Sequence, residues 1–181
     1  VKNNKIIVVL SAMAGETNNL QSYLDEFSSQ YSIESDLVLT SGEQVTIGLL
    51  SAELKNKGIK SIPLLGWQIP IITDGSHEKA KILQIDNKRI ENFFEKNDVI
   101  VWAGFQGISL DGEITSLGRG GSDTTAVAIA SSVGAERCDI FTDVDGVYTT
   151  DPNIDKNAKK ISKMSYEEML EMASTGSKVL H

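Results

Sequence analysis

The sequence predicts an α/β protein, a three-layer α/β/α sandwich with a mainly parallel central sheet. Two apolar runs, Ile6–Leu10 and Val99–Phe105, are rich in β-branched residues and are typical of strands buried on both faces. Predicted helices alternate with the strands, which favours right-handed crossovers between parallel strands. Polar, glycine-containing loops follow the strands, and in such sheets ligands bind beyond the carboxyl ends of the strands.

Helices are predicted from caps and helix-period apolar residues. In chain order they are a polar helix at 19–30, a helix from Ser41 to Gly58, a helix capped by Asp86 that ends near Lys96, a helix after the glycines at 118–121, and a helix from Ser165 to about Ala173. We expect Ser41 to cap the second of these, with Gln44 at the capping-box position and Gly58 as the left-handed C-cap. Glu43 is then free to point elsewhere.

Three shorter strands and a hairpin complete the predicted sheet. The strands are Ser61–Leu65, Ile71–Thr73 and Cys138–Thr142, and the sequence Asp111-Gly112 between alternating residues predicts a hairpin turn. The loops after Ile6–Leu10, Val99–Phe105 and Cys138–Thr142 are polar. We expect these three loops to converge at one edge of the sheet.

The composition argues against several classes of function. The chain has 181 residues, 17 of them basic and 25 acidic, and a net charge of −8 without a basic stretch disfavours nucleic acid and anionic membranes as partners. No apolar run is long enough to cross a membrane. The single cysteine, Cys138, cannot form an internal disulfide and fits a reducing cytoplasm. His77 and His181 are isolated, so no zinc site is expected.

The segment Gly-Arg-Gly-Gly-Ser-Asp-Thr-Thr at 118–125 precedes a helical apolar run. A helix N-terminus presents unpaired N–H groups and a partial positive charge, so it binds phosphate or carboxylate. Arg119 adds a planar charged fork, and Ser122 and Asp123 are the expected caps. The alternative is a flexible turn that leads into an ordinary capped helix.

A second polar segment, Thr142–Pro152, follows the predicted strand Cys138–Thr142. Thr142 and Asp143 can lie at the edge of the sheet, and Tyr148 can stack on a flat ring. The alternative is a surface turn rich in Asp and Gly. The spacing does not fit a calcium loop.

Six segments occur in an order that resembles the aspartokinases, enzymes of the amino-acid-kinase (carbamate-kinase-like) fold. They are Val-Leu-Ser-Ala-Met-Ala-Gly-Glu-Thr-Asn (9–18), Ser-Gly-Glu-Gln-Val-Thr (41–46), Ala-Gly-Phe-Gln-Gly (103–107), the segment at 118–125, Thr-Asp-Val-Asp-Gly-Val-Tyr-Thr-Thr-Asp-Pro (142–152) and Glu-Glu-Met-Leu-Glu-Met-Ala-Ser-Thr-Gly-Ser-Lys-Val-Leu (167–180). The resemblance implies one catalytic domain over 1–181. It also implies ATP-dependent phosphorylation of the side-chain carboxylate of L-aspartate, the first step towards lysine, threonine, methionine and diaminopimelate.

The resemblance assigns substrate and catalytic roles. Glu43 would receive the substrate ammonium, Arg119 would hold a carboxylate, and Asp123 would organise cationic side chains around the transferred phosphoryl group. The other substrate contacts would be Ser11, Thr17, Phe105, Gly120, Gly121 and Ser122. Ordinary structural roles remain open for several: a first-turn glutamate for Glu43, a helix-entry threonine for Thr17, and a core residue for Phe105.

The nucleotide contacts are likewise implied by the resemblance. They are Thr142, Asp143, Tyr148, Asn153, Lys178 and Val179, with Lys178 reaching the phosphates as a second catalytic residue. Asn153 stands where the family usually has an arginine. The implied cofactors are ATP and Mg²⁺, with the ion carried mainly by the nucleotide and no metal ligand from the protein. A homo-oligomer is implied for the intact enzyme.

The chain also departs from the family pattern. The family's opening strand with Lys-x-Gly-Gly-Thr-Ser and its carboxy-terminal ACT domains have no counterpart here, so the domain is expected to be incomplete at both ends and weakly active alone. Two alternatives stay open at this point. One is a related kinase of the same fold with another acceptor, such as glutamate or uridylate. The other is a non-catalytic remnant or fragment that keeps ligand contacts.

Overall fold

The computed structural model describes residues 4–27, 32–118, 120–142, 146, 148–150 and 155–165. The chain divides into two compact units, Val1–Cys138 and Asp139–His181. The described part of the first unit contains five helices: α1 (Glu16–Asp25), α2 (Ile33–Leu39), α3 (Ser41–Asn56), α4 (Asn87–Phe94) and α5 (Gly121–Ser132). Its seven strands are β1 (Ile6–Leu10), β2 (Ser61–Leu64), β3 (Ile71–Thr73), β4 (Ile82–Ile85), β5 (Val99–Ala103), β6 (Gln106–Ser109) and β7 (Ile114–Ser116).

The strands form one parallel sheet and one mixed sheet. In the first, β5 lies between β1 and β2 and is parallel to both, with Ile6 opposite Val99 and Leu10 opposite Ala103. In the second, the order is β4-β3-β6-β7, where the β3–β6 pair is parallel and the other two pairs are antiparallel. The predicted α/β fold with a mainly parallel sheet is confirmed.

Burial on both faces explains the continuous apolar run of β5. All five of its residues are buried, and successive side chains point to opposite faces of the sheet. Val101 and Ala103 pack with Ile47 of α3 on one face. Trp102 packs with apolar residues of α4 and α5, including Ile129, on the other face. Helices therefore cover both faces of this sheet, as the predicted three-layer sandwich requires.

Several predicted boundaries are confirmed by their hydrogen bonds. Asp86 caps α4 by accepting a hydrogen bond from the Arg89 amide at 3.2 Å. Gly58 ends the α3 region with φ 75°, and the Ile59 amide donates to the Leu54 carbonyl at 3.0 Å. Strand Ile71–Thr73 and the hairpin turn at Asp111-Gly112 are also as predicted.

Two predicted helix caps are wrong because each helix begins one or more residues earlier than expected. The residue before α3 is already helical, and the residue before α5 is a left-handed glycine. The N-cap of α3 is Thr40, at the end of α2, and the Ser41 hydroxyl donates back to the Val38 carbonyl at 2.7 Å. The capping box with Gln44 therefore does not form. Gly120, at φ 72°, is the N-cap of α5, so Ser122 and Asp123 lie inside the first turn and make no cap hydrogen bond.

Other predictions differ more. The first helix starts at Glu16 rather than at residue 19, directly after Gly15 in a left-handed conformation. Neither α2 nor β4 was predicted. Residues 138–142 are not in a strand, so the strand predicted at Cys138–Thr142 is wrong. An apolar run becomes a strand only where a neighbouring strand pairs with it and another layer covers it, and Phe141 is 94% exposed.

The second unit is described in part. Tyr148 forms an antiparallel bridge with Lys160, and the Thr149 amide donates to the Lys159 carbonyl at 3.0 Å. The helix predicted from Ser165 to Ala173 lies outside the described residues from position 166 onward.

Candidate functional site

A cavity of about 250 Å³ opens in the first unit beyond the carboxyl ends of β1 and β5. Its lining residues are Ser11, Thr17, Glu43, Phe105, Gly118, Gly120, Gly121, Ser122 and Asp123. All except Gly118 are residues to which the sequence assigned substrate or catalytic roles. They come from the loop after β1, the first turns of α1 and α3, the loop after β5 and the start of α5.

Glu43 is a buried carboxyl group with one unsatisfied oxygen. Glu43 lies in the first turn of α3 and is only 3% exposed. Oε1 accepts a hydrogen bond from the Ala12 amide at 2.9 Å, whereas Oε2 has no partner among the described residues. Burial raises the pKa of Glu43 from 4.5 to about 7, although the amides of Ala12 and of Glu43 itself lower it in part. A ligand cation would satisfy Oε2 and restore the charged form.

Glycine at position 42 permits the contact that holds Glu43. A Cβ on Gly42 would lie 2.8 Å from the Ala12 Cβ and 3.3 Å from Leu20 Cδ1. The N-terminus of α3 therefore packs directly on the loop after β1, and the Ala12 amide reaches the Glu43 carboxylate. Sequence reasoning did not single out Gly42, although its place beside Glu43 in the Ser-Gly-Glu motif was a usable signal.

Phe105 lines the cavity in a conformation that is unfavourable for a residue with a side chain. Its φ is 68°, in the left-handed region, which costs a non-glycine residue about 1–3 kcal/mol. Two hydrogen bonds hold it: its amide donates to Thr125 Oγ1 at 3.1 Å, and its carbonyl accepts from the Leu117 amide at 2.9 Å. Such strain persists where the surroundings fix it, and it clusters at functional sites. Thr125 is the last residue of the glycine-rich motif at 118–125, and the sequence analysis gave it no role.

Two glycines bring the start of α5 against the loop after β5. A Cβ on Gly121 would lie 2.8 Å from Phe105 Cδ2, and a Cβ on Gly104 would lie 2.7 Å from Ser122 Oγ. The first turn of α5, with Ser122 and Asp123, therefore borders the cavity. The N–H groups of a first helical turn have no acceptors within their own helix, so this end of α5 favours an anionic ligand group.

Gln106 is a buried residue to which the sequence analysis gave no role, although it belongs to the motif at 103–107. Its Nε2 donates to the Thr40 carbonyl at 3.2 Å, and its Oε1 accepts from the Gly66 amide at 3.2 Å. Thr40 immediately precedes α3. Gln106 therefore connects the loop that carries Phe105 to the helix that carries Glu43.

Only two of the six predicted nucleotide contacts, Thr142 and Tyr148, lie in the described part of the chain. Thr142 is exposed and Tyr148 is half-buried, and both belong to the second unit. Asp143, Asn153, Lys178 and Val179 lie outside the described residues, as does Arg119 of the substrate group. The nucleotide assignments stay predictions.

Within the described ranges, no group of three or more His, Cys, Asp or Glu side chains is placed to hold a metal ion. These residues do not form a protein cage for Mg²⁺, an ion that usually keeps several waters and binds through substrate phosphates. No helix in the described part of the chain is long and apolar enough to cross a membrane.

Comparison with known proteins gives the family. The sequence profile of the amino acid kinase family matches residues 1–181. Aspartate kinase of Pseudomonas putida is 51% identical over 176 residues, which cover 97% of this chain and 43% of that protein. Aspartokinase of Rickettsia felis is 50% identical over 184 residues, covering 99% and 46%. The predicted resemblance to the aspartokinases is confirmed.

Solved structures agree with the sequence matches. Aspartokinase III of E. coli in complex with aspartate and ADP superimposes with a TM-score of 0.83 at 25% identity, covering 97% of this chain and 51% of that one. Aspartate kinase from Synechocystis gives a TM-score of 0.81 at 40% identity, covering 99% and 30%. The chain therefore belongs to the amino acid kinase family, and it spans less than half the length of the curated aspartate kinases that it matches.

Proposed function

We propose that the cavity binds L-aspartate and that the protein transfers the γ-phosphoryl group of ATP to its side-chain carboxylate, giving 4-phospho-L-aspartate and ADP. The observation that carries the proposal is the unpartnered, buried Oε2 of Glu43 in a cavity that the N-terminus of α5 also borders. An amino acid with a carboxylate side chain offers a cation for the first and anions for the second. The proposed product is the first intermediate towards lysine, threonine, methionine and diaminopimelate.

We propose the following roles for the cavity residues and Arg119 from the resemblance to the aspartokinases and from their charges. Glu43 receives the ammonium group of aspartate, and Arg119 with the amides of Gly120–Ser122 holds a carboxylate. The hydroxyls of Ser11 and Thr17 contact the substrate from the loop after β1 and the first turn of α1. Phe105 closes the side of the cavity beneath α5.

The chemistry needs positioning more than proton transfer. The side-chain carboxylate of aspartate is already ionised near neutral pH, so an oxygen of that group attacks the γ-phosphorus without a general base. A new P–O bond forms as the bond to the β-phosphate oxygen breaks, and ADP leaves with the electron pair. Asp123 orients cationic groups, among them Lys178, that neutralise charge on the transferred group.

ATP is the proposed donor, and Mg²⁺ bound to its phosphates supplies further charge neutralisation. Its proposed contacts are Thr142, Asp143, Tyr148 and the segment that contains Lys178 and Val179, with Asn153 nearby. We propose a cytoplasmic location, because the single cysteine, which cannot form an internal disulfide, suits a reducing compartment. A homo-oligomer is proposed for the intact enzyme.

The function is tested by calorimetry with L-aspartate and by ADP formation with a panel of acceptors. We expect L-aspartate to bind and to support ADP formation in preference to L-glutamate and UMP. A chain that binds L-glutamate or UMP better than L-aspartate would contradict the assignment. Glu53→Gln, at an exposed position of the same helix α3, serves as the control for the cavity variants.

A further inference from the structure

A buried carboxylate lies outside the cavity and joins three segments of the first unit. Asp36 of α2 is 0% exposed. Its Oδ1 accepts from the Ser116 hydroxyl in a short hydrogen bond and from the Glu78 amide at 3.1 Å, and its Oδ2 lies 2.8 Å from His77 Nδ1. We call Asp36, His77, Glu78 and Ser116 the Asp36 clamp.

The imidazole of His77 lies between two carboxylates. Its Nε2 is 3.3 Å from Glu113 Oε2, and its side chain is 13% exposed. The charged groups that face it are Asp36 from α2 and Glu113 from the turn between β6 and β7. Burial lowers the pKa of His77, but the hydrogen bonds to both carboxylates outweigh that effect and raise it. The charged form of the ring donates to both neighbours at once.

On one side, the Asp36 clamp adjoins the start of the glycine-rich segment. Ser116 is two residues before Gly118, and its carbonyl accepts from the Ala80 amide at 2.9 Å. A Cβ on Gly118 would lie 3.0 Å from the Glu78 carbonyl oxygen. Glu78 itself has a φ of 64°, which is unfavourable for a non-glycine residue. The clamp therefore fixes Gly118, shortly after the end of β7.

On the other side, the clamp adjoins the helix that carries Glu43. The Asp36 carbonyl accepts from the Thr40 amide at 3.1 Å and from the Thr40 hydroxyl at 2.7 Å. Thr40 is the N-cap of α3, and Glu43 lies in the first turn of that helix. One buried residue thus connects both sides of the cavity.

We propose that Asp36 and His77 are positioning residues for amino-acid binding, because the Asp36 clamp holds Gly118, shortly before α5, and the first turn of α3 at the separation that L-aspartate requires. This inference rests on the proposed function of the cavity. Stability alone is a poor explanation for the clamp, since burying an ion pair carries a desolvation penalty that well-packed apolar residues avoid. A fixed separation between two binding segments does need a directional contact.

The test compares three variants of the full 181-residue chain by hydrogen exchange and by calorimetry with L-aspartate. His77→Leu removes the donor to Asp36. His77→Asn keeps an N–H donor near the place of Nδ1 and removes the ring charge. Ser61→Ala is the matched control, because it removes a buried hydrogen bond to Ser51 between β2 and α3, away from the clamp.

The amides of Gly121 and Thr124 donate to the Gly118 and Gly120 carbonyls, each at 3.0 Å, so their exchange reports on this region. We expect His77→Leu to speed exchange of these two amides about tenfold, as the loss of a hydrogen bond to a buried charge implies. We expect it to weaken L-aspartate binding about three- to thirtyfold. His77→Asn should restore most of both properties. Ser61→Ala should lower the melting temperature without changing either property.

The two proposals fail in different ways. Exchange at the Gly121 and Thr124 amides that is the same in His77→Leu and in the unmodified chain would overturn the clamp, whatever happens to binding. Equal losses of L-aspartate affinity in His77→Leu and Ser61→Ala would overturn it as well, because they would reflect stability alone. A third outcome is that the unmodified chain binds no L-aspartate, while His77→Leu still exchanges faster. That outcome would support the clamp's hold on the glycine-rich segment and overturn the proposed function.

Discussion

Replacing Glu43 by glutamine tests whether the buried carboxylate of the cavity binds the ammonium group of L-aspartate. Glutamine keeps the size of the side chain and the acceptor for the Ala12 amide, but it cannot become charged. We expect Glu43→Gln to weaken L-aspartate binding by about 2–5 kcal/mol, the usual effect of removing one member of a buried charged pair. ATP binding should change far less, because no nucleotide contact is assigned to Glu43.

The structure also predicts how the affinity depends on pH. The pKa of Glu43 in the empty cavity is about 7, and an ammonium group binds the ionised form. The ionised fraction of such a group rises from about 9% at pH 6 to about 91% at pH 8. The affinity for L-aspartate should therefore rise about tenfold over this range and then level off, with release of a proton on binding below the pKa.

Isothermal titration calorimetry in buffers of different ionisation enthalpy measures both the affinity and the proton release. Glu43→Gln should remove this rise in affinity with pH, whereas Glu53→Gln, an exposed change on the same helix, should leave it intact. An affinity that is constant between about pH 6 and pH 8 in the unmodified chain would refute the reasoning. So would a Glu43→Gln variant with normal affinity.

The same pKa makes a prediction for stability. The folded-state pKa of Glu43 lies above its ordinary value of 4.5, so the folded chain keeps a proton that the unfolded chain has released. As the pH rises from about 4.5 to 7, the contribution of Glu43 to the free energy of unfolding falls by about 3 kcal/mol. Urea unfolding at several pH values should show the unmodified chain losing stability relative to Glu43→Gln over this window.

Three further changes have defined outcomes. Gly121→Ala places a Cβ against the ring of Phe105 and should cost about 1–3 kcal/mol of stability as well as L-aspartate affinity, whereas Gly48→Ala, with open space around it, should be neutral or stabilising in thermal melts. The raised pKa of His77 means that its contribution to stability is present below the ordinary histidine pKa and is lost as the pH rises through the folded value. In a Glu43→Gln background, the urea midpoint should therefore fall as the pH rises through this range. Adding His77→Leu should remove that fall. In a full-length enzyme, Asp123→Asn should lower the turnover for ADP formation more than the affinity for either ligand, and near-normal turnover would reduce Asp123 to a first-turn acidic residue.

The elements that the sequence predicted well are those whose own residues determine them. β5 is apolar throughout because both of its faces are buried, and α4 is capped by the side chain of the residue directly before it, Asp86. The loops after β1 and β5 were predicted to meet because parallel strands bring their carboxyl ends to one edge, whereas the site residues within them were assigned from the resemblance. These inferences needed no distant partner.

The elements that were missed depend on distant parts of the chain. Helix α2 buries a polar face, Ser35 and Asp36, and Asp36 finds its partners at His77 and Ser116, 41 and 80 residues away. No hydrophobic period marks such a helix. The predicted cap at Ser41 was wrong for a related reason: α2 runs directly into α3, and local capping rules assume a non-helical residue in front.

Long sequence separation has a consequence for when the cavity forms. The hydrogen bonds from Gln106 to Thr40 and from Ser116 to Asp36 close loops of 66 and 80 residues, and such contacts are slow to form because the entropy of loop closure opposes them. Both sides of the cavity should therefore assemble late in folding, after the local helices. A ligand that binds across them acts on the native state and hardly on the transition state. L-aspartate should accordingly slow unfolding while leaving the folding rate nearly unchanged.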